Sequence, residues 1–387
     1  MSQNASSESR SGRPLRILHC LRAPVGGLFR HVCDLAAGQA ARGHAVGIIC
    51  DATSGGSSAE AALATLKPAC RLGITRLPIG RLPGLADLAA IAEVARIARA
   101  QKADILHGHG AKGGAYARLA PLLRRGHKAG RFYTPHGGSL HYSRDSAAGL
   151  AFLTAERVMM RRTSGMIFES AYGEAAFAAK VAPPSCAARV IHNGLREAEF
   201  APVETAPGAA DLVFIGELRA LKGVSDLLAA LALPRAGGGG PTAVIIGSGA
   251  DGARFQSEAQ ALGLTGRVTF RPAMPARAGF ALGRVLVVPS LAESLPYIVL
   301  EAAAAGRPVL ATRVGGLGEI FGGDENLLVP PGDPAALAGA IAAALSDAGA
   351  LETRAERLKE RVHRLFNAAD MCDRILEFYG QAMASGR

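Results

Sequence analysis

The stretch VLVVPSLAESLPYIVLEAAAAGRPVLAT, Val285 to Thr312, indicates the fold because it places a helix between two short apolar runs. The run VLVV is apolar at every position, as expected for a strand that is covered on both faces of a parallel sheet. Pro296 can occupy the first turn of the helix that follows. A second apolar run, PVLAT, then completes a strand–helix–strand unit, which predicts parallel strands.

The same alternation runs through the whole chain of 387 residues, which is long enough for two domains. Apolar runs such as LRILHCL, ADILHGH, DLVFIGE and TAVIIG alternate with Ala-rich helical patterns. We therefore predict an α/β protein with two Rossmann-like, doubly wound parallel-sheet domains that face an interdomain cleft. The predicted divisions are a disordered tail (1–14), an N-terminal domain (15–195), a Pro- and Glu-containing linker (196–210), a C-terminal domain (211–365) and a C-terminal helix crossing back toward the first domain (366–387).

Charge is distributed unevenly along the chain. Residues 1–200 hold 26 Lys and Arg against 13 Asp and Glu, whereas residues 201–387 hold 17 against 19. Two basic clusters, at 118–131 and 156–165, mix Arg with Leu or Met; they contain Arg124, Arg125, Arg161 and Arg162. This composition fits contact with an anionic membrane surface, or alternatively a solvated cationic face. Few aromatic residues and no nucleic-acid-binding motif argue against a nucleic-acid partner. The polar N-terminus and the lack of a long apolar run predict a cytoplasmic protein, peripheral on the inner face of the membrane if it binds there.

Candidate ligand-binding residues of the N-terminal domain follow its predicted strands. Gly26 and Gly27 open a helix after the first strand, where backbone amides can approach an anion. His136 follows another strand and precedes two glycines, a position suited to hydrogen bonding with a substrate or to an ordinary loop. His107 and His109 have no adjacent carboxylate or thiolate, so we expect no metal site and no cofactor.

In the C-terminal domain, the segment VIIGSGADG contains Gly247 in a G-x-G-x-x-G pattern typical of dinucleotide binding. That pattern should lie in the first strand–helix turn of its domain, and the next strand should end in an acidic residue. Here it follows the second strand, and the next strand ends with Arg271 and Pro272. We therefore interpret it as a tight turn near a nucleotide rather than an NAD site. Arg219 and Lys222 precede Gly223 and a helix start, which suits a diphosphate.

The most informative pattern is E-x7-E, formed by Glu293 and Glu301. Glu293 lies in the loop after VLVVPS, where the amides of Ser294 and Leu295 can bind phosphate. Glu301 falls within the apolar helix, where a carboxylate needs a polar partner such as a sugar hydroxyl.

The ordered set of Gly26-Gly27, His136-Gly137, IHNG, LKG, GSG, E-x7-E and the GRPVLAT to GGLGEI run resembles the retaining family 4 glycosyltransferases of the GT-B fold. The resemblance extends over nearly the whole chain. It departs from the family at Glu217, where many members have Arg, so that Arg219 is the substitute, and at Ser294, where Gly is common.

The resemblance implies a role for each of these residues. Glu301 would bind the ribose of a nucleotide sugar, Glu293 the hydroxyls of the donor sugar, and Lys222 with Arg219 the diphosphate. His136 would lie near the transferred sugar. The remaining donor-binding positions implied are Gly26, Gly27, Ser294, Leu295, Pro296, Gly247 and Met274.

The implied reaction is transfer of a hexose from a nucleoside-diphosphate sugar, without a metal, to a lipid-linked or other anionic glycan of a bacterial cell-surface polysaccharide. Two alternatives remain open. One is a soluble acceptor, as in sucrose or trehalose synthesis, and the other is an inactive sugar-binding homologue.

Overall fold

The structure is a computed structural model in which residues 13–120, 129–138, 142–234 and 239–385 are described. The predicted N-terminal tail falls almost entirely outside the described residues, as do Arg124 and Arg125. Contacts divide the chain into two compact units. The N-terminal unit takes in residues 1–167, 184–189 and 374–387, and the C-terminal unit takes in 168–183 and 190–373.

The N-terminal unit is built on a seven-stranded sheet with the order β3-β2-β1-β4-β5-β6-β7. Its strands are β1 (Arg16–Leu21), β2 (Ala45–Asp51), β3 (Ile74–Leu77), β4 (Ile105–His109), β5 (Gly130–Thr134), β6 (Gly165–Phe168) and β7 (Ala187–Val190). The pairings from β3 through β6 are parallel. The chain moves outward from β1 to β3 and then returns to β4 on the other side of β1. In sheets of this kind, ligands bind at the carboxyl ends of the two strands where the direction reverses.

Helices connect these strands. They are α1 (Gly26–Ala41), α2 (Gly56–Leu66), α3 (Ala86–Ala100), α4 (Gly110–Leu119), α5 (Ala147–Met160) and α6 (Ala171–Lys180). Helix α6 follows β6 in the chain but belongs to the C-terminal unit. Strands β1 and β4 are buried along nearly their whole length because helices cover both faces of the sheet. One apolar core includes Leu18 and Leu106, and another on the opposite face includes Val32 and Ile48.

The C-terminal unit contains a five-stranded parallel sheet with the order β10-β9-β8-β11-β12. Its strands are β8 (Ala210–Ile215), β9 (Ala243–Ile246), β10 (Val268–Arg271), β11 (Gly283–Val288) and β12 (Val309–Ala311). The reversal point lies between β8 and β11. Alternate residues of β8 enter opposite cores, since Leu212 and Phe214 pack on one face and Val213 on the other.

The helices that follow these strands cover the sheet and extend to the end of the described chain. They are α7 (Val224–Ala232), α8 (Gly252–Ala261), α9 (Ala276–Phe280), α10 (Tyr297–Ala304), α11 (Leu317–Phe321), α12 (Pro334–Ser346), α13 (Ala348–Leu365) and α14 (Ala368–Ser385). Within the described ranges, none of these helices, nor any in the N-terminal unit, is by itself long and apolar enough to span a membrane. Among the helices that the structure describes, the pair α12 and α13 passes that test of length and composition when taken together, and the two are bent by 102°.

Candidate active site

Gly26 and Gly27 begin helix α1, directly after β1 at the reversal point of the N-terminal sheet. Gly26 has φ of +65°, and a Cβ atom there would meet no atom within 4 Å. The residue before it, Val25, is extended and provides no side-chain cap. The first turn of α1 therefore begins next to open space, which suits backbone amides that bind an anion.

His136 belongs to a group of five histidines at the same edge of this sheet, which we call the histidine cluster: His19, His31, His107, His109 and His136. His19 lies on β1, and His107 and His109 lie on β4, which pairs with β1 so that His19 is opposite His107. Helix α1 contributes His31, and His136 follows β5. Parallel pairing and one helix thus bring together residues that are 117 positions apart at most.

Hydrogen bonds link most of the cluster. His19 Nδ1 lies 3.0 Å from His109 Nε2, and His109 Nδ1 lies 3.2 Å from His136 Nε2. At the inner end, His19 Nε2 lies 2.8 Å from Gln39 Oε1. His107 is held separately, by the Tyr379 hydroxyl at 2.7 Å and by Thr134 Oγ1 at 2.9 Å.

Burial keeps four of these rings, His19, His107, His109 and His136, neutral near pH 7. Desolvation lowers the pKa of His19 to about 4 and that of His136 to about 3, and it lowers the pKa of His107 and His109 well below the usual value. His136 also has a left-handed backbone with φ of 49°, an uncommon conformation for a residue other than glycine. A neutral imidazole in a constrained loop can bind a hydroxyl group or a metal ion.

In the C-terminal unit, Lys222 and Glu293 meet at the reversal point between β8 and β11. Lys222 Nζ lies 2.6 Å from Glu293 Oε1, and the Ser290 hydroxyl donates to the same oxygen at 2.7 Å. Close packing fixes this arrangement, since a Cβ atom on Gly223 would lie 1.8 Å from the Pro289 carbonyl oxygen. Gly223 also has φ of +67°, so that only glycine fits without strain.

The loop from Glu293 to Pro296 is held by residues from three other segments. A Cβ atom on Gly315 would lie 2.0 Å from the Glu293 carbonyl oxygen, and the Gly316 amide donates to Ser294 O at 2.6 Å. The Ser294 hydroxyl donates to Glu169 Oε1 at 2.7 Å. The Asn193 side-chain amide donates to Leu295 O at 3.3 Å. Glu169 and Asn193 are contacts that the E-x7-E pattern alone did not indicate.

Helix α10 begins immediately after this loop. Pro296 is the residue that precedes the helix, one position earlier than expected, because its ψ of 120° is extended rather than helical. Leu295 is buried, whereas Glu301 is half-buried on the helix. Glu293 and Glu301 thus belong to one loop–helix segment, as the sequence predicted.

The remaining donor-binding candidates lie at the ends of β8, β9 and β10. Arg219 is half exposed and contacts Glu217 across 3.4 Å. Gly247 follows β9, where a Cβ atom would lie 1.9 Å from Gly216 O. Met274 follows β10 and packs partly buried against the core. The GSGADG turn follows the second strand of its sheet, and β10 ends at Arg271, which is the arrangement that argued against a dinucleotide site.

Glu319 forms a polar group that sequence reasoning did not identify. Its carboxylate accepts hydrogen bonds from the amides of Ala171 and Tyr172 at the start of α6, each at 2.9 Å. His192 Nε2 lies 2.8 Å from the same side chain. Desolvation alone would raise the pKa of Glu319, but these hydrogen bonds outweigh it and lower the pKa below its usual value.

The structure therefore distributes the predicted residues between its two units. Gly26, Gly27 and His136 lie in the N-terminal unit, and Lys222 and Glu293 contact each other in the C-terminal unit. Two α/β units, one on a seven-stranded and one on a five-stranded sheet, with polar groups at each reversal point, define a GT-B fold.

Comparison with known proteins identifies the family. Residues 209–347 match the model for Glycosyl transferases group 1, and residues 26–194 match the Glycosyl transferase 4-like domain. The chain belongs to this group, glycosyltransferase family 4.

The chain is similar to a glycogen synthase of Mycobacterium tuberculosis, with 35% identity over 184 residues, covering 45% of this chain and 43% of that protein. It is also similar to a D-inositol 3-phosphate glycosyltransferase of Nocardia farcinica, with 34% identity over 215 residues, covering 52% and 47%. The matches thus span less than half the length of these relatives.

A solved structure of similar fold is the sucrose-phosphate synthase of Thermosynechococcus elongatus, with a TM-score of 0.77 and 24% identity, covering 96% of this chain and 100% of that one. Another is Anabaena HepE in complex with UDP and glucose, with a TM-score of 0.77 and 20% identity, covering 95% and 100%.

Proposed function

We propose that the protein is a retaining hexosyltransferase that uses a nucleoside-diphosphate sugar. The observation that carries this proposal is the Lys222–Glu293 contact of 2.6 Å at the reversal point of a family 4 C-terminal unit. Lys222 is partly exposed and can turn from Glu293 to a diphosphate, whereas Glu293, still held by Ser290, can accept hydrogen bonds from the sugar hydroxyls. HepE, a protein of similar fold, was solved with UDP and glucose, which supports the same class of donor here.

In this mechanism the bond between the anomeric carbon and the diphosphate oxygen breaks, and a bond from the same carbon to an acceptor oxygen forms on the same face. The leaving diphosphate takes the proton of the acceptor hydroxyl. Lys222 and Arg219 stabilise the negative charge that develops on the leaving group, which is the main electrostatic demand of the step. Glu293 remains held by the Ser290 hydroxyl at 2.7 Å, so we assign it to binding of the sugar hydroxyls rather than to covalent attack. No metal enters this mechanism.

Thermal unfolding with added UDP, GDP, ADP, CMP or NAD tests the donor assignment. A ligand present at about 100 times its dissociation constant stabilises the folded state by about 2.7 kcal/mol. We expect one nucleoside diphosphate to raise the melting temperature, and Glu301→Ala to reduce that rise. Glu356→Ala on α13 is the control, and it should retain the full rise. Stabilisation by NAD alone would refute the transferase assignment and support a dinucleotide site at Gly247.

We also propose that the acceptor is lipid-linked and that the N-terminal unit contacts an anionic membrane surface. Three leucines near the start of α3 are strongly exposed: Leu82 at 78%, Leu85 at 87% and Leu88 at 67%. Exposed Arg161 and Arg162 follow α5. Exposed leucines and arginines in one unit have the chemistry of a surface that binds anionic lipid.

Vesicle sedimentation tests the membrane proposal. Vesicles with about one third phosphatidylglycerol should retain the protein, and neutral phosphatidylcholine vesicles should retain much less. Arg161→Gln with Arg162→Gln should weaken retention, and so should Leu82→Ser with Leu85→Ser. Unchanged binding by both double variants, or no binding by the wild type, would refute it and favour a soluble acceptor, such as the inositol phosphate named for the Nocardia relative.

A further inference from the structure

We propose that His31, His109 and His136 form a binding site for a divalent transition-metal ion, with Zn²⁺ as the best match. The three side chains come from α1, from β4 and from the loop after β5, and all belong to the N-terminal unit. His31 and His109 are buried, and His136 is half-buried. Imidazole is a common zinc ligand, and three protein ligands leave the fourth tetrahedral position to water or another donor. This proposal departs from the sequence-based expectation of no metal.

The spacing of the rings fits a tetrahedral ion. Each of the three residues offers a ring nitrogen, and these nitrogens all lie within 4.8 Å of one another. With Zn–N bonds of about 2.05 Å, tetrahedral geometry places ligand nitrogens about 3.3 Å apart and ring centroids about 5.2 Å apart. His109 Nδ1 and His136 Nε2 are 3.2 Å apart. The three pairs of ring centroids are separated by 5.6 Å, 4.9 Å and 5.4 Å.

A second set of histidines in the cluster, His19, His107 and His109, meets the same distance limit but fits less well. Both ring nitrogens of His107 already have hydrogen-bond partners, Tyr379 and Thr134. The His107 ring also lies only 4.0 Å from the His109 ring, which is closer than two ligand rings around one ion. We therefore assign the metal to the set that includes His31.

His19 and Gln39 supply outer support for this site. The Gln39 amide oxygen accepts a hydrogen bond from His19 Nε2 at 2.8 Å, and His19 Nδ1 can then accept a hydrogen bond from His109 Nε2 at 3.0 Å. This chain of hydrogen bonds leaves the lone pair of His109 Nδ1 directed toward the metal site. Zinc-binding histidines are usually oriented by such a hydrogen bond from the other ring nitrogen, and losing it costs about 10- to 100-fold in metal affinity.

A simple hydrogen bond between His109 and His136 would also give a distance of 3.2 Å, so that distance alone does not identify a metal. The position of His31 distinguishes a metal site from such a hydrogen bond. The His31 ring lies at the spacing expected of a third ligand from both the His109 and the His136 rings. A hydrogen bond between His109 and His136 would not require His31 to be there.

Metal titration of the untagged 387-residue chain tests the proposal. The chain is first treated with a chelator, which is then removed. We expect one equivalent of Zn²⁺ to bind, as measured by calorimetry. One equivalent of Co²⁺ should produce the visible absorption of a four-coordinate ion. His31→Gln should weaken binding at least tenfold, and Gln39→Leu by about 10- to 100-fold. His363→Gln is the control, because this histidine is exposed in the C-terminal unit and lies outside the cluster.

Three results would overturn the proposal: no stoichiometric uptake by the wild type, unchanged uptake by His31→Gln, or a Co²⁺ spectrum of a six-coordinate ion. Circular dichroism and melting temperature establish that each variant folds. If His31→Gln does not fold, the wild-type stoichiometry and the Gln39→Leu titration decide the matter. Nucleotide stabilisation is measured separately in the presence of chelator, so that loss of the metal site and failure of the transferase assignment give different results.

Discussion

Replacing Lys222 by Met tests whether this side chain neutralises the leaving diphosphate. The substitution removes the charge and keeps most of the length. The fold should survive, because Glu293 is left with the Ser290 hydroxyl at 2.7 Å after the 2.6 Å contact with Lys222 is lost. Removing one preorganised donor to a developing anion typically costs about 2.7 to 4 kcal/mol, which corresponds to a loss of about 10² to 10³ in kcat.

The assay is the initial rate of nucleoside diphosphate release from the donor that the thermal-shift measurements identify. Lys359→Met is the matched control. The Lys359 side chain is 27% exposed and pairs with Glu356, much as the Lys222 side chain is 29% exposed and pairs with Glu293. Lys359 lies on α13 and should leave the rate unchanged. Arg219→Met should reduce the rate less than Lys222→Met does. The Arg219 side chain is 51% exposed, and its contact with Glu217 is long, at 3.4 Å. Rates within twofold of wild type for both Lys222→Met and Arg219→Met would refute the assignment.

Three further predictions concern stability and can be checked by urea unfolding. Gly223→Ala should lower the unfolding midpoint more than Gly266→Ala, because both positions have positive φ but only the first would force a Cβ atom to 1.8 Å from a carbonyl oxygen; equal losses would contradict this. Arg118→Met should lower the free energy of unfolding by about 3 to 5 kcal/mol, because it leaves the carboxylate of Glu156 buried without its 2.7 Å ion pair. The double variant Arg118→Met with Glu156→Met should recover part of that loss. Because the pKa of Glu319 is lowered in the folded state, its contribution to the free energy of unfolding is fully present above pH of about 4.3 and is lost as the pH falls through the folded-state pKa. Glu319→Gln should therefore make the free energy of unfolding less sensitive to acid. An unchanged dependence of this free energy on pH would refute the prediction.

Local signals in the sequence were sufficient for several features of the C-terminal unit. The apolar run before Glu293 predicted β11, and the E-x7-E spacing placed Glu293 and Glu301 on one loop–helix segment. Asp333 followed by Pro334 is a local signal for a helix start, and the Asp333 side chain accepts from the Ala336 amide at 2.9 Å. These features depend on residues that are close together in the chain, which is why patterns identify them.

The features that the sequence did not predict depend on which strands become neighbours. His19 and His107 are 88 residues apart, and they face each other only because β4 returns to the side of β1. The contact between Glu169 and Ser294 spans 125 positions, and no local pattern encodes it. His107 and His109 are close together in the sequence, whereas the three other histidines of the cluster come from distant segments, so the local pattern did not indicate a metal site.

The Tyr379 hydroxyl lies 2.7 Å from His107 Nδ1, although the two residues are 272 positions apart, and Phe378 packs edge-on against Phe132. The final turns of α14 are thus an integral part of the core of the N-terminal unit. During synthesis, this unit cannot complete its packing until Phe378 and Tyr379 have been translated, even though its strands emerge much earlier. Until then, His107 and Phe132 lack the cover of α14 while the C-terminal unit is being synthesised. Contacts between such distant parts of the chain slow folding and leave an apolar surface exposed until they form.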